Sequence, residues 1–276
     1  MNKLIRLNHT GIEYGDYAWN FASGCGNNIG GKCKNGGFNC WAYSITHRFA
    51  GHYPNGFTPT IYPDALLSPL YLKKPSRILC AFMGDLFGDW FNPDENIESI
   101  LPSGVGSVHM SLKEWIYTTI RQCPQHTFIF LTKQPQNLPL WEPFPDNVYL
   151  GVSVTNQEMF DKAIYYLKMV DAEVKFLSME PLLGRINNEG LQDISWVIIG
   201  QCTPIKQSTT PKIEWVREIV SACDKANVKV FLKDNLMPLI LHCPYRQFFL
   251  FQYWKRGKTF ELRQELPDGY SQSVVK

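Results

Sequence analysis

The sequence predicts an α/β fold: a partial or irregular (β/α) barrel, TIM-like, of about six to seven parallel strands, with a C-terminal hairpin extension. Three observations predict it. Short, near-continuous apolar runs recur along the chain, as strands buried on both faces require. Amphipathic helical patterns lie between several of them, which is the signature of βαβ units. The chain has 276 residues, enough for one α/β domain with a short extension and too few for two large domains.

Taken in order, a first strand is expected before Gly24, followed by a glycine-rich loop and a helix from about Cys40 through Trp41 to Phe49. Residues 54–75, rich in Pro and Tyr, read as an ordered loop covering one end. Strands follow at 77–83 (RILCAFM), 127–131 (TFIFL), 148–154 (VYLGVSV), 174–179 (VKFLSM), 196–200 (WVIIG) and 228–232 (VKVFL). Residues 89–106 read as an irregular insertion. Helices are expected at 112–122, at 157–170 with Thr155 or Asn156 as N-cap, and at 213–226 with Pro211 near its start. The expected domain, 1–242, gives way to an extension, 243–276, read as a hairpin around Lys255, Arg256, Gly257 and Lys258. Its interleaved basic and aromatic residues could stack on bases, or its aromatics could close the barrel floor.

Ligands of parallel α/β sheets bind at the C-terminal strand ends. Directly after the strands stand Gly84-Asp85, Thr132-Lys133, Ser153 to Asn156, Glu180-Pro181, Gln201-Cys202 and Lys233-Asp234. Carboxylates, lysines and hydroxyls on one rim would suit a polar small molecule. The net charge of +2 supplies no global field toward nucleic acid or anionic lipid. No apolar run is long enough to span a membrane, and the N-terminus lacks a signal-peptide pattern, so a cytoplasmic location is expected.

In the cytoplasm thiols stay reduced, so the eight cysteines need a reason other than disulfides. Cys25, Cys33 and Cys40 share one segment, SGCGNNIGGKCKNGGFNCWAYS. Its glycines permit tight turns, and its backbone N–H groups can donate to sulfides. Three explanations fit. One is an iron–sulfur cluster on three cysteines with one iron open. Another is a structural zinc with a fourth ligand such as His9, His47 or His52, though the gaps match no zinc template. The third is three unrelated thiols.

The segments SGC…KC…NCWAYS, AFMGDLF, FIFLTKQPQNL, NVYLGVSVTNQ, FLSMEPLLGRI, WVIIG and VFLKDN together cover most of the chain. In this order the chain resembles an uncharacterised phage- and prokaryote-associated radical-SAM-like family, distantly similar to spore photoproduct lyase. It departs from the usual pattern in two places. The gap from Cys33 to Cys40 is long, and Gly200-Gln201-Cys202-Thr203-Pro204 stands where the family tends to carry Gly-Gly-Glu-Ser-Gly.

The resemblance implies that Cys25, Cys33 and Cys40 hold a [4Fe–4S] cluster and that S-adenosylmethionine is cleaved reductively to a 5′-deoxyadenosyl radical. It implies cofactor contacts from Gly84 and Asp85 to the methionine amine, and from Ser153 and Asn156 to the ribose. Glu180 would take the ribose or a cationic group, and Lys133 or Lys233 a carboxylate or an anionic substrate. Trp41 would pack on the cluster or adenine, or anchor its helix. Cys202 could donate a hydrogen atom to a substrate radical, or simply fill space. The implied partners are an electron donor such as flavodoxin or ferredoxin and an unknown substrate, with nucleic acid a candidate. The competing expectation is a zinc-stabilised nucleic-acid-binding protein using the hairpin near Tyr245–Lys258.

Overall fold

The computed structural model describes residues 7–100, 106–242, 251–254 and 260–267. It is a mixed α/β protein with one large, mostly parallel sheet of eight strands. These are β1 (Leu7–His9), β2 (Tyr17–Trp19), β3 (Arg77–Cys80), β4 (Thr127–Thr132), β5 (Val148–Ser153), β6 (Val174–Met179), β7 (Trp196–Ile199) and β8 (Lys229–Leu232). Their order in the sheet follows their order in the chain, and β1 runs antiparallel to β2. No closed barrel forms among the described residues.

Contacts divide the described chain into two compact units, one of residues 7–150 with 170–173, the other of 151–169 with 174–267. In the first, β2, β3 and β4 pair in parallel. Ile78, Leu79, Phe128 and Ile129 are buried, as the apolar runs require. Trp19 stacks against Phe21 at 4.4 Å and donates its indole N–H to the Ala65 carbonyl at 2.7 Å. That bond ties the 54–75 segment down. The first helix, α1 (Trp41–Arg48), follows the cysteine segment. A second, α2 (Leu112–Arg121), starts in a capping box, in which Ser111 and Glu114 each satisfy the other's backbone N–H.

The 89–106 insertion is not irregular throughout. Strands Asn96–Ile100 and Ser107–Ser111 pair antiparallel, with residues 101–105 between them outside the described set. Ile97 and Ser99 are buried and Glu98 is exposed, so the alternation of a one-sided strand is present but rests on one apolar and one polar residue. Trp115 of α2 donates to the Ile97 carbonyl at 2.8 Å and fixes the hairpin on that helix.

In the second unit β6, β7 and β8 pair in parallel. The third helix is α3 (Gln157–Met169) and the fourth α4 (Ile213–Ala226). The latter buries Val216, Ile219, Val220 and Cys223, spaced 3, 1 and 3, and stops at Asn227 in the left-handed region. Strands Gln252–Trp254 and Phe260–Leu262 pair antiparallel, as a hairpin would; Cys243, Tyr245 and Lys255–Lys258 lie outside the described residues. The following segment runs beside β8, where Leu232 donates to the Arg263 carbonyl at 2.7 Å. No helix among the described residues is long and apolar enough to cross a membrane.

Candidate functional site

The cysteine segment is an ordered structure built on backbone bonds. Strands Asn28–Ile29 and Lys32–Cys33 form a tight hairpin in which Asn28 faces Cys33. Gly30 and Gly31 turn it with φ of 55° and 84°, a region closed to most side chains. Lys32 bridges to Asn39, and the Cys40 N–H donates to the Gly31 carbonyl at 2.8 Å. Cys40 is then the N-cap of α1. The three cysteines, eight and seven positions apart, thus lie on one small backbone framework.

That framework is joined to the tip of β3 through two glycines. Gly24 forms a parallel bridge with Gly84. A Cβ on Gly84 would collide with the Gly24 carbonyl oxygen, and one on Gly24 would lie 2.5 Å from the Thr58 carbonyl carbon. Only glycines allow this approach.

Next to the bridge, Asp85 is buried and committed to protein donors. Its Oδ1 accepts from the Thr132 hydroxyl at 2.7 Å and the Phe87 N–H at 3.2 Å, and its Oδ2 from the Lys133 N–H at 2.9 Å. Burial outweighs these bonds and raises its pKa. The carboxylate ties the tips of β3 and β4 together. Gln134, with its amide turned to satisfy both ends, donates to Asp89 at 2.8 Å and accepts from Asn27 at 3.3 Å, which links β4 to the cysteine segment.

Cys25 is half-buried, and its thiol is pushed up to about 12, chiefly by burial. The Asn27 N–H opposes that, while nearby Asp85 and Cys33 add to it and Lys133 counters them. Cys40 packs against the small apolar cluster of Ala42, Tyr53 and Met83. Trp41, beside it, is 53% exposed.

In the second unit the strand tips form a separate polar cluster. Lys233 after β8 pairs with Glu180 after β6 at 2.9 Å. Asn235 donates to the Gln201 carbonyl at 2.8 Å and to Glu180 at 3.4 Å, and accepts from the Gln201 N–H at 3.2 Å. Gln201 is buried, donates its side-chain amide to the Asn235 carbonyl, and has no partner for Oε1 among the described residues. Ser153 is buried at the end of β5. Asn156 caps α3, its Oδ1 accepting from the Met159 N–H at 3.0 Å. Cys202 is part-buried, its pKa raised mainly by burial and held back by a hydrogen bond with Thr209.

Cys25, Cys33 and Cys40 are donors of the type an iron–sulfur cluster takes, but their side chains are not gathered into one metal-holding group in this structure. Three thiols stand on one loop, and Asn28, opposite Cys33, has a buried Nδ2 with no acceptor among the described residues. A thiolate or sulfide would satisfy that amide. No group of three or more His, Cys, Asp or Glu side chains is gathered to hold a metal ion among the described residues. Asn28 and Asn235 were not singled out from sequence. Asn235 had a usable signal, a polar residue two positions past a strand tip; Asn28 had none beyond its place in a glycine-rich loop.

Fold and site together define an α/β protein with a glycine-locked cysteine loop at the tips of parallel strands. Residues 9–236 match the family described as "Protein of unknown function (DUF5131)", and the chain belongs to it. No curated protein and no solved structure matches the chain.

Proposed function

We propose that the chain is a radical S-adenosylmethionine enzyme on a partial (β/α) barrel. The observation that carries the proposal is the cysteine segment: three thiols on one hairpin-and-cap framework, locked by Gly24 and Gly84 to the end of a parallel strand. Sheet order equal to chain order supports the barrel, because a doubly wound sheet reverses order at a switch point.

Cys25, Cys33 and Cys40 would hold a [4Fe–4S] cluster, whose chemistry when bound is to supply an electron for reductive cleavage of S-adenosylmethionine. The chain's own residues do the rest. Asn28 would donate its free N–H to the sulfur ligands and stabilise their negative charge. Asp85 would hold the loop's base in place and keep a negative charge under it, favouring a cationic amine nearby. Within the second unit, Glu180 and Lys233 present opposite charges, and Ser153, Asn156 and Gln201 offer neutral hydrogen-bonding groups for a polar ligand. A small acidic electron carrier of the flavodoxin or ferredoxin type would reduce the protein.

Anaerobic reconstitution with iron and sulfide, reduction with dithionite and addition of S-adenosylmethionine tests the proposal. 5′-Deoxyadenosine should form, and its formation should be lost in Cys25→Ala. One zinc per chain with no iron uptake would instead identify a structural zinc site.

A further inference from the structure

The cysteine segment and α1 carry a surface that this chemistry does not use. Between Asp16 and Asp64 the sequence has no aspartate or glutamate, while Lys32, Lys34 and Arg48 all lie exposed there. In a chain of net charge +2, that is a local concentration of positive charge. On the same segment Ile29 is 64%, Trp41 53% and Phe49 53% exposed.

Part of this set shares one side of α1. Trp41, Ser44 and Arg48, spaced three and four apart, share the solvent side of α1, opposite its buried Ala42 and Thr46. The hairpin adjoins α1 on its Tyr43 side, a different side from Trp41, where a side chain on Gly31 would meet the Tyr43 ring at 3.1 Å. The Lys32–Asn39 bridge puts Lys32 across from a residue two positions before Trp41. His47 extends the ring surface, its imidazole 4.0 Å from the Tyr43 ring. Asp85, behind the cysteine segment, is buried, and Asp89 accepts from Asn137 at 2.7 Å.

We propose that this side of α1 and the exposed hairpin beside it bind single-stranded nucleic acid, with an unpaired base stacked on Trp41, and phosphates on Arg48 and on Lys32 and Lys34 of the hairpin. A solvent-facing indole beside cations, with no carboxylate on the segment, is what stacking on bases along a polyanion requires. An acidic protein would use the lysines but would have no need of an open aromatic face. The inference goes beyond the radical-enzyme reading and holds for a chain with no cluster at all.

The test uses the full chain in air, without reconstitution. Fluorescence anisotropy of a labelled single-stranded oligonucleotide of roughly 12 nucleotides is measured against the same sequence as duplex, with inorganic polyphosphate as competitor. The single strand should bind more tightly than the duplex and resist polyphosphate. Trp41→Ala should weaken binding roughly 5- to 100-fold, the loss expected of one stacked base, and Trp41→Phe should recover most of it. Lys32→Ala with Lys34→Ala should flatten the salt dependence. The proposal is overturned by no saturable binding, by Trp41→Ala binding like wild type, or by polyphosphate displacing the strand at equal charge. The last would mark an anion patch without base stacking. Circular dichroism of each variant confirms folding, which an exposed position at the start of a helix should preserve.

Discussion

Replacing Asp85 with alanine strands three donors at once. In the native protein its oxygens accept from the Thr132 hydroxyl, the Phe87 N–H and the Lys133 N–H, all at 3.2 Å or less. The hydroxyl can rotate to another acceptor, but the two amides cannot. Each buried donor without a partner costs about 1–3 kcal/mol. Against that stands relief: the carboxylate is buried, and desolvation outweighs its hydrogen bonds enough to raise its pKa. The net expectation is a loss of about 2–4 kcal/mol, since two unmet amides exceed what removing one hydrogen-bonded charge returns. Urea unfolding followed by circular dichroism measures it as a lower midpoint at unchanged slope. The pH dependence supplies a second reading. A carboxyl with a raised folded pKa contributes most below its unfolded value; that contribution falls as pH rises through the folded value and is level above it. Asp85→Ala should erase this decline. A variant within about 0.5 kcal/mol of wild type, with the decline intact, would refute the assignment of Asp85 as the tie between β3 and β4.

Three further substitutions probe other parts of the account. Gly84→Ala places a methyl against the Gly24 carbonyl and should cost about 1–3 kcal/mol, with faster proteolysis of the cysteine segment. Lys233→Ala removes the ammonium 2.9 Å from the part-buried Glu180; a loss of about 1–3 kcal/mol is expected, less than for a fully buried pair because both side chains retain some water contact. Asn156→Ala removes the cap of α3 and should cost about 1 kcal/mol by the same unfolding assay.

Much of the scaffold was legible because strong local signals agreed. The run at Val174–Met179 and the helix Ile213–Ala226 lie where periodicity put them. The helix carries apolar residues on one face and ends at an asparagine suited to the left-handed stop. Asn156 behaves as the cap its position suggested. The Asn96–Ile100 hairpin escaped because each strand sets only two apolar residues among polar ones, a weak signal beside the continuous apolar runs of the main sheet. The candidate site was half legible. Cysteine spacing marks the loop, and strand ends mark Asp85, Glu180 and Lys233. What those groups touch was not written locally: Asp85 finds its partners 47 and 48 residues away, and Asn235 reaches back 55 to Glu180. Long-range bonds of this kind depend on strand order, which periodicity alone leaves open.

What the loop thiols hold is read by electron paramagnetic resonance of the anaerobically loaded, dithionite-reduced protein. Iron and sulfide in near-equal amounts, with a reduced-cluster signal that changes when S-adenosylmethionine is added and vanishes in Cys33→Ala, is the predicted result. A spectrum indifferent to S-adenosylmethionine, or iron that stays bound after all three of Cys25, Cys33 and Cys40 are replaced, would contradict it.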